Sequence, residues 1–457
     1  MMKQDLSYTT SRTERASYGL YAFGAILSYY MVMSFLQLFM TDIGIPAITV
    51  GFIFIIAKVW DAVNDPLFGV LVDKVNPRGG KYIPWLRIAS IAIPLTTIFM
   101  FIIPAQASTQ IKVIWSVVAY VLWDTAYTMY DVPMGAIVTA MTENQSERNK
   151  LYAHSAFFVY LGGLLVAVAV PMLFPNIGWN MTGIIIGLLS LLTMLPLPGK
   201  ARERFIGTAA EEISIKEIVL SLAHNKYLLI FTMALILAGI TNFALSLNGY
   251  FAIHCLGGEQ WITPLALCTA MPVLLAVLFV PKLLARFEKF TCAVVTRILS
   301  MVIDLLIILF GYGNAVLFLA LVVVKNLVLS VWNVAVTVFI ADCVEYGQFV
   351  TGKRTQGIAF STRAFTNKLI VALTGALAMF GLAAYGFVEG AGIVQSEQTI
   401  NGIWRLYSAY PLIGSTVSML VLLLFYRLRD RDVKLMIRCN NGEISREEAM
   451  ASLSIKL

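Results

Sequence analysis

The sequence predicts an all-α membrane protein in which twelve transmembrane helices form two six-helix bundles. Of the 457 residues, 59% are hydrophobic and 13% are charged, and the mean hydropathy of +0.80 lies outside the range of soluble globular domains. The segment 151–199 contains no Asp, Glu, Lys or Arg and is long enough to cross a bilayer twice, because one span needs about 20 residues. Lysine and arginine are concentrated in alternate loops, as expected for loops on the cytoplasmic side.

Apolar runs separated by turn residues and charged loops define the spans in order. They cover residues 18–40, 47–72, 83–104, 113–140, 152–174, 179–197, 227–253, 261–284, 291–311, 315–341, 357–385 and 404–426. Basic loops follow the even-numbered spans, whereas loops such as 41–46 and 175–178 contain no Lys or Arg. The positive-inside rule therefore predicts that both termini are cytoplasmic, and we expect a multi-pass protein of the bacterial inner membrane.

The longest early cytoplasmic break divides the chain into two halves. We predict an N-terminal bundle at 1–198, a linker at 199–225, a C-terminal bundle at 226–427 and a cytoplasmic tail at 428–457. In the linker, Ser214 and Glu217 form a capping-box pattern ahead of an apolar run, which predicts a short helix on the membrane surface. Two halves of six spans are typical of transporters that bind substrate near the bilayer midplane.

The second span carries polar residues that are costly in a membrane. Asp61 and Asp65 are four residues apart and share a helix face, with Lys58 and Asn64 on its flanks. Because a carboxylate costs about 2.5 to 3.5 kcal/mol at the centre of a membrane helix, both should line a polar cavity. Hard oxygen ligands suit Na⁺ or a proton. The alternative is a structural salt bridge between Lys58 and Asp61.

The fourth span carries Asp124, Thr128 and Asp131 on one stripe about two turns long. Tyr127 and Tyr130 flank this stripe. Carboxylate, hydroxyl and aromatic groups together suit a polyhydroxylated ligand, whose hydroxyls need acceptors and whose ring stacks on aromatic faces. Thr128 could instead add an oxygen ligand to the cation site of span two, and the tyrosines could be packing residues.

Spans nine to eleven contain further polar residues. Lys325 either pairs with Asp304 of span nine or contacts the substrate. The remaining candidates for substrate binding in these spans are Trp332, Asn333, Arg363 and Lys368. Arg363 and Lys368 diverge by roughly 140° around a helix, so one unbroken helix does not aim both at the same point. Filling or emptying a cation site would change the charge balance around Lys368, which gives a physical route to coupling.

The sequence contains no motif for enzymatic chemistry or for ATP-driven transport. It has no metalloprotease, phosphate-loop or nucleophile-elbow pattern, and its five cysteines show no spacing typical of metal sites or disulfide pairs. We therefore expect a transporter rather than an enzyme, with no cofactor except a coupling ion and no nucleic-acid partner.

With these residues in place, the chain resembles the glycoside-pentoside-hexuronide:cation symporter family of the major facilitator superfamily. The motifs that carry the resemblance are WDAVNDP at 60–66, GKYIPW at 80–85, YTMYDVP at 127–133 and ADCVEYG at 341–347, together with Lys368. The resemblance implies that the cation site is formed by Asp61, Asn64, Asp65 and Thr128. It also implies that Asp131 borders both cation and sugar, and that Lys368 takes part in coupling.

The loop after span two resembles the inter-helix signature of the same superfamily in a variant form. Its carboxylate Asp73 and the loop cation Arg78 could latch two helices and release them during transport, with Lys58 as an adjustable counter-charge near the cation site. The alternative is an ordinary topology loop.

The sugar site departs from the family pattern. Ala25, Gly135 and Ala156 stand where the family has an Asp, a Trp and an Arg. Arg363, Lys325 and Asp124 are additions, and two extra cations against one extra anion favour an anionic sugar over a neutral glycoside or pentoside. The resulting prediction is a symporter that imports a glycoside, pentoside or hexuronide-like sugar with Na⁺ or H⁺. The alternatives are a gradient-independent facilitator or exporter of a sugar acid or sulfonated sugar, and a membrane-embedded enzyme.

Overall fold

The computed structural model describes residues 9–75, 79–104, 106–205, 225–276, 279–352 and 356–454. Within these ranges the chain is helical and has no β-strand. The chain divides into two compact units. The N-terminal unit comprises Met1–Glu211 and Gly386–Gln395, and the C-terminal unit comprises Glu212–Tyr385 and Ser396–Leu457.

Within the part that the structure describes, the N-terminal unit has five long helices and one short helix. They are α1 (Arg12–Asp42), α2 (Ala47–Lys74), α3 (Ile83–Phe101), α4 (Thr109–Met141), α5 (Gln145–Met194) and α6 (Leu197–Lys200). The 50 residues of α5 contain a kink at Gly178, whose φ of 77° is readily adopted only by glycine. Spans five and six are therefore the two halves of α5, and they meet close to the turn that Pro175 predicts.

Small residues let α1 pack closely against the second half of α5. A Cβ added to Gly24 would lie 2.4 Å from Thr193 Oγ1, so only glycine fits there without a shift of its neighbours. Ser190 Oγ donates to the carbonyl oxygen of Gly24 at 2.7 Å. Close backbone approach at small residues is a common way to join membrane helices, and here it fixes α1 within the N-terminal unit.

The described residues of the C-terminal unit form eight helices before its tail. They are α7 (Lys226–Ile240), α8 (Ala244–His254), α9 (Ile262–Ala276), α10 (Val280–Arg286), α11 (Lys289–Phe310), α12 (Ala315–Thr351), α13 (Gln356–Ala384) and α14 (Glu397–Phe425). A 3-10 turn at Glu259–Trp261 precedes α9. The apolar core of this unit includes Phe231, Phe339 and Tyr426, which pack through their rings.

Span seven is interrupted, although the apolar pattern predicts one continuous helix. The helix α7 ends at Ile240 and α8 begins at Ala244, which leaves Asn242 in the break. At this level α14 comes very close, because a Cβ on Gly414 would lie 1.7 Å from Thr241 Oγ1. Irregular backbone at membrane depth is tolerated where it lines a cavity, and Asn242 does line one.

The fold class predicted from the sequence is confirmed. Among the described residues, nine helices are long and apolar enough to cross a membrane. These nine include α5, whose two halves are two spans, and the broken pair α7 and α8; with α4 and the pair α9 and α10 added, the helices account for all twelve predicted spans. The chain is a multi-pass membrane protein.

Two tail helices, α15 (Asp430–Asn440) and α16 (Arg446–Ser452), pack on the end of α12. Asp432 is fully buried and accepts hydrogen bonds from the backbone nitrogen and hydroxyl of Ser454 at 2.9 and 2.6 Å. Asn440 donates to the carboxylate of Glu345 at 3.1 Å. The tail is therefore part of the folded C-terminal unit.

Three predicted features lie outside the described part of the chain. They are the capping box at 214–217, the loop cation Arg78 and the side chain of Asp73. Their proposed roles stay predictions.

Candidate functional site

A hydrogen-bonded chain joins α2 to α4 in the N-terminal unit. Asn64 Nδ2 donates to Thr128 Oγ1 at 2.8 Å, and Thr128 Oγ1 donates to Asp65 Oδ1 at 2.9 Å. Asn64 and Thr128 are buried, with 8% and 3% of their surface exposed. Asp61 is also buried, one turn before Asp65 on α2. We call the four residues Asp61, Asn64, Asp65 and Thr128 the carboxylate site.

Lys58 does pair with Asp61, the contact that the sequence leaves open. The distance from Lys58 Nζ to Asp61 Oδ2 is 3.4 Å, which is longer than the 2.7–2.9 Å that is usual for a charge-assisted hydrogen bond. A loosely held ammonium group can yield to an incoming cation. The pair therefore fits both a structural role and the predicted role of Lys58 as a counter-charge.

Tyr120 is a residue of this region that the sequence analysis missed. Its ring is completely buried, and Asp124 and Asp61 are both among its electrostatic neighbours. Within the described part of the chain, its hydroxyl has no hydrogen-bond partner. The signal was in the sequence, since Tyr120, Asp124 and Thr128 are spaced by four residues and share one face of α4.

Tyr127 lies in an aromatic cluster rather than alone beside the polar stripe. Its ring stacks on Trp123 at 5.1 Å and contacts Tyr29 at 5.4 Å and Tyr130 at 5.0 Å between centroids. The structure thus adds the partly exposed Tyr29 to the candidates for stacking on a sugar, whereas Trp123 is fully buried beneath it. Asp124 is buried within α4, whereas Asp131 is exposed on the same helix.

A cavity of about 430 Å³ lies inside the C-terminal unit. It is lined by three predicted substrate-binding residues, Trp332, Asn333 and Arg363. A smaller lobe of about 140 Å³ shares part of this lining. We call the two lobes together the cationic cavity. Its volume is in the range of small-molecule sites.

Arg297 lines both lobes of the cationic cavity and was missed by the sequence analysis. Only 8% of its surface is exposed. Its Nη2 donates to Ser415 Oγ at 2.8 Å, and its guanidinium carbon lies 5.6 Å from the centroid of the Trp332 indole. Ionisable residues within membrane spans are functional candidates by default. Arg297 is such a residue, as is Asp304 two turns further along α11.

Lys325 pairs with Asp304, the first of the two alternatives for this residue. Lys325 Nζ lies 2.5 Å from Asp304 Oδ1, and both residues line the smaller lobe of the cationic cavity. Breaking such a pair on one side is costly because it leaves a charge without its partner. Lys325 is therefore held by Asp304.

Arg363 and Lys368 separate on α13 as the helical geometry predicts. Arg363 lines the cationic cavity, where its Nη1 donates to Thr337 Oγ1 at 2.6 Å. Lys368 is exposed, and it lies outside the set of residues that line this cavity. The roles of Lys368 in substrate binding and coupling stay predictions.

The chain resembles known proteins over nearly its whole length. A family profile described as "MFS/sugar transport protein" matches residues 17–430. The protein "Uncharacterized symporter YjmB" of Bacillus subtilis (strain 168) is 28% identical, over 92% of this chain and 93% of its own length. The isoprimeverose transporter of Lactiplantibacillus pentosus is 28% identical, over 93% of this chain and 90% of its own length.

A solved structure shows the same fold. The nucleoside transporter NupG superimposes with a TM-score of 0.65 and 14% sequence identity, covering 91% of this chain and 98% of the NupG chain. At this identity the likeness concerns the fold alone.

Proposed function

We propose that this chain, which belongs to the MFS/sugar transport protein family, imports a sugar together with Na⁺ or H⁺. The chain is a transporter and not an enzyme, because the matching family and the relatives described above are transporters. Transport of a sugar-type substrate follows from the family. The coupling ion and the direction of transport are the parts that we propose.

The observation that carries the proposal is the bridge made by Thr128 between Asn64 and Asp65. A hydroxyl that accepts from an amide and donates to a carboxylate holds both side chains in fixed positions at the α2 and α4 contact. Two carboxylates, an amide oxygen and a hydroxyl form a set of hard oxygen ligands, which suits Na⁺. The same carboxylates accept a proton, so either ion satisfies the site.

Cation binding would change the charge of the carboxylate site and thereby favour sugar binding. The site has two carboxylates and one ammonium group, that of Lys58, so one more positive charge would neutralise it. Because coupling between two ligands is reciprocal, a cation that raises sugar affinity is itself bound more tightly when sugar is present. Such mutual stabilisation produces symport in an alternating-access carrier.

We propose that the sugar binds in the cationic cavity. Asn242, Asn333 and Asn367 line this cavity and offer amide groups for hydroxyls, and the indole ring of Trp332 offers a face for a pyranose. The isoprimeverose transporter and the symporter among the relatives support sugar symport. The alternation of basic loops supports the bacterial inner membrane, with both termini cytoplasmic.

Uptake into right-side-out membrane vesicles tests this function. Labelled neutral sugars and sugar acids are supplied with a sodium gradient, with a proton gradient, and with neither. We expect accumulation above the external concentration with one of the two gradients. Uptake that is indifferent to both gradients would overturn symport, and counterflow without accumulation would identify a facilitator or exporter instead.

A further inference from the structure

The cationic cavity carries more positive charge than its own carboxylate balances. The charged residues that line its two lobes are Arg297, Arg363, Lys325 and Asp304. Three cations thus face one carboxylate. Asp304 lies 2.5 Å from Lys325, and among the described residues neither Arg297 nor Arg363 forms an ion pair with a carboxylate.

Arg297 is the most deeply buried of these cations. Its guanidinium group is attracted electrostatically to Asp304 on the same helix, but that carboxylate already forms an ion pair with Lys325. Retaining a guanidinium group in an apolar span is costly unless an anion compensates for it. A ligand that brings a negative charge would supply the missing compensation.

The guanidinium group of Arg297 is held in place from two sides. Ser415 accepts one hydrogen bond from Nη2, and Trp332 lies beside the guanidinium carbon at a distance typical of a cation–π contact. A guanidinium has five N–H donors in a planar fork, and Ser415 engages one of them. The fork is thus oriented before a ligand arrives and suits bidentate binding of a carboxylate or sulfonate.

The neighbouring residues suit a sugar that carries such a group. Asn242 from the break in α7 and α8, Asn333 from α12, and Thr366 from α13 line the same cavity as Arg297. They offer donors and acceptors for hydroxyl groups, while Arg363 adds a second cation. Positive charge and neutral hydrogen-bonding groups are thus combined within about 430 Å³.

We infer that Arg297 recognises an anionic group, carboxylate or sulfonate, on the transported sugar, and that Arg363 assists it. This inference rests on the proposed function, since it names the substrate class of a sugar transporter. Arg297 is a specificity-determining residue in this scheme: it contacts the substrate and selects anionic hexoses over neutral ones.

Three hexopyranoses that differ only at C6 provide the test. Glucuronate has a carboxylate there, 6-deoxy-6-sulfoglucose a sulfonate, and glucose a neutral hydroxymethyl group. Binding to the full-length protein in lipid nanodiscs is measured by titration calorimetry, and KM and kcat for uptake are measured in proteoliposomes. We expect the better anionic sugar to bind at least about tenfold more tightly than glucose. Which anion binds better tells a sugar acid from a sulfonated sugar.

The variants Arg297→Gln and Arg297→Lys separate recognition from folding. Arg297→Gln should weaken binding of the anionic sugar by about 10- to 100-fold and change glucose binding less than twofold. Arg297→Lys should retain part of the preference, because it keeps the charge but loses the planar fork. Arg405→Gln makes the same change at an exposed position of α14 and should leave all three affinities unchanged. If Arg297→Gln does not fold, the comparison is made with Arg297→Lys, which should raise the KM for the anion and not for glucose.

The inference is overturned if wild-type protein binds glucose as tightly as both anions, or binds none of the three. It is also overturned if both Arg297 variants weaken all three sugars equally, which would indicate a structural role. A preference for the anionic sugars without any effect of ion gradients on uptake would overturn the proposed coupling and support the role of Arg297 in recognition. Gradient-driven uptake of glucose without a preference for the anionic sugars would support the proposed coupling and overturn the role of Arg297.

Discussion

The carboxylate site of the N-terminal unit and the cationic cavity of the C-terminal unit both place polar residues in membrane-spanning helices, but with opposite charge. In the carboxylate site, Asn64, Thr128 and Asp65 satisfy one another over 2.8 and 2.9 Å. In the cationic cavity, one carboxylate serves several cations around an open volume. The first arrangement suits a small cation held by a few oxygens, and the second suits a larger ligand with a negative charge.

The contrast also separates residues that need a partner inside the protein from residues that need a ligand. Lys325 has its partner in Asp304, as a structural ion pair does. Arg297 has a hydrogen bond to Ser415 and an aromatic neighbour, which fix its position without neutralising its charge. A polar residue in a membrane helix is therefore best assigned from its contacts, not from its charge alone.

The largest effect is expected from Asp65→Asn in the carboxylate site. An amide is isosteric with the carboxylate but neutral, so it can hydrogen-bond to Thr128 yet cannot bind Na⁺ or a proton as strongly. Accumulation of sugar in vesicles should fall to the external concentration, while exchange across the membrane continues. Glu447→Gln, an acid-to-amide change at an exposed position of the tail, should accumulate normally. Normal accumulation by Asp65→Asn would remove this residue from the cation site.

The next largest effect is expected from Asp304→Asn in the cationic cavity. Removing one partner of the 2.5 Å pair leaves Lys325 charged without its carboxylate, which should destabilise the protein by about 3 kcal/mol. Thermal unfolding in detergent, followed by fluorescence-detected gel filtration, measures the change. Combining Asp304→Asn with Lys325→Gln should restore most of the stability, because Lys325 then no longer leaves a charge without its carboxylate. Wild-type stability of the single variant would show that the pair is not structural.

A smaller effect on ion affinity is expected from Thr128→Ala. The loss of a hydrogen bond to a charged carboxylate should raise the half-saturating sodium or proton concentration by about tenfold. The measurement is the initial rate of sugar uptake against ion concentration. Thr128→Ser keeps the hydroxyl and should stay within about twofold of wild type. Equal ion affinity for the alanine and wild-type proteins would show that the bridge does not support the ion site.

The smallest effect is expected from Ser415→Ala, which removes the hydrogen bond that orients Arg297. A neutral hydroxyl contributes about 1 kcal/mol, so the KM for an anionic sugar should rise by about two- to tenfold with kcat little changed. Arg297 keeps its charge and its contact with Trp332 in this variant. A larger loss than that of Arg297→Gln would contradict the view that Ser415 acts through Arg297.

Much of the fold follows from short-range pattern. The apolar runs define the spans, and the turn at Pro175 correctly marks the division of α5 into two spans near Gly178. The polar residues that the sequence marks in spans two and four include Asn64, Asp65 and Thr128, which hydrogen-bond to one another between α2 and α4. These features can be predicted from the sequence because helical periodicity is a local property, and because a charge in an apolar run is costly wherever it occurs.

Other features depend on neighbours that the local pattern does not reveal. The break at Asn242 lies in a run that predicts one continuous span, and it lies where α14 approaches. The pattern also gave no reason to choose between a partner and a substrate for Lys325. Tyr120 and Arg297 were missed although their spacing to Asp124 and Asp304 was visible, because a tyrosine or arginine near a carboxylate has several possible roles.

By itself, the sequence determined that this chain spans the membrane repeatedly and that two carboxylates of α2 lie on one face of that helix. Hydrophobicity and helical period suffice for both, since each depends on residues within a few turns. Only the tertiary structure decided that Asp304 belongs to Lys325 and that Arg297 faces an open cavity beside Trp332. Which charges meet depends on how separate helices pack, and that packing brings together residues that are distant in the sequence.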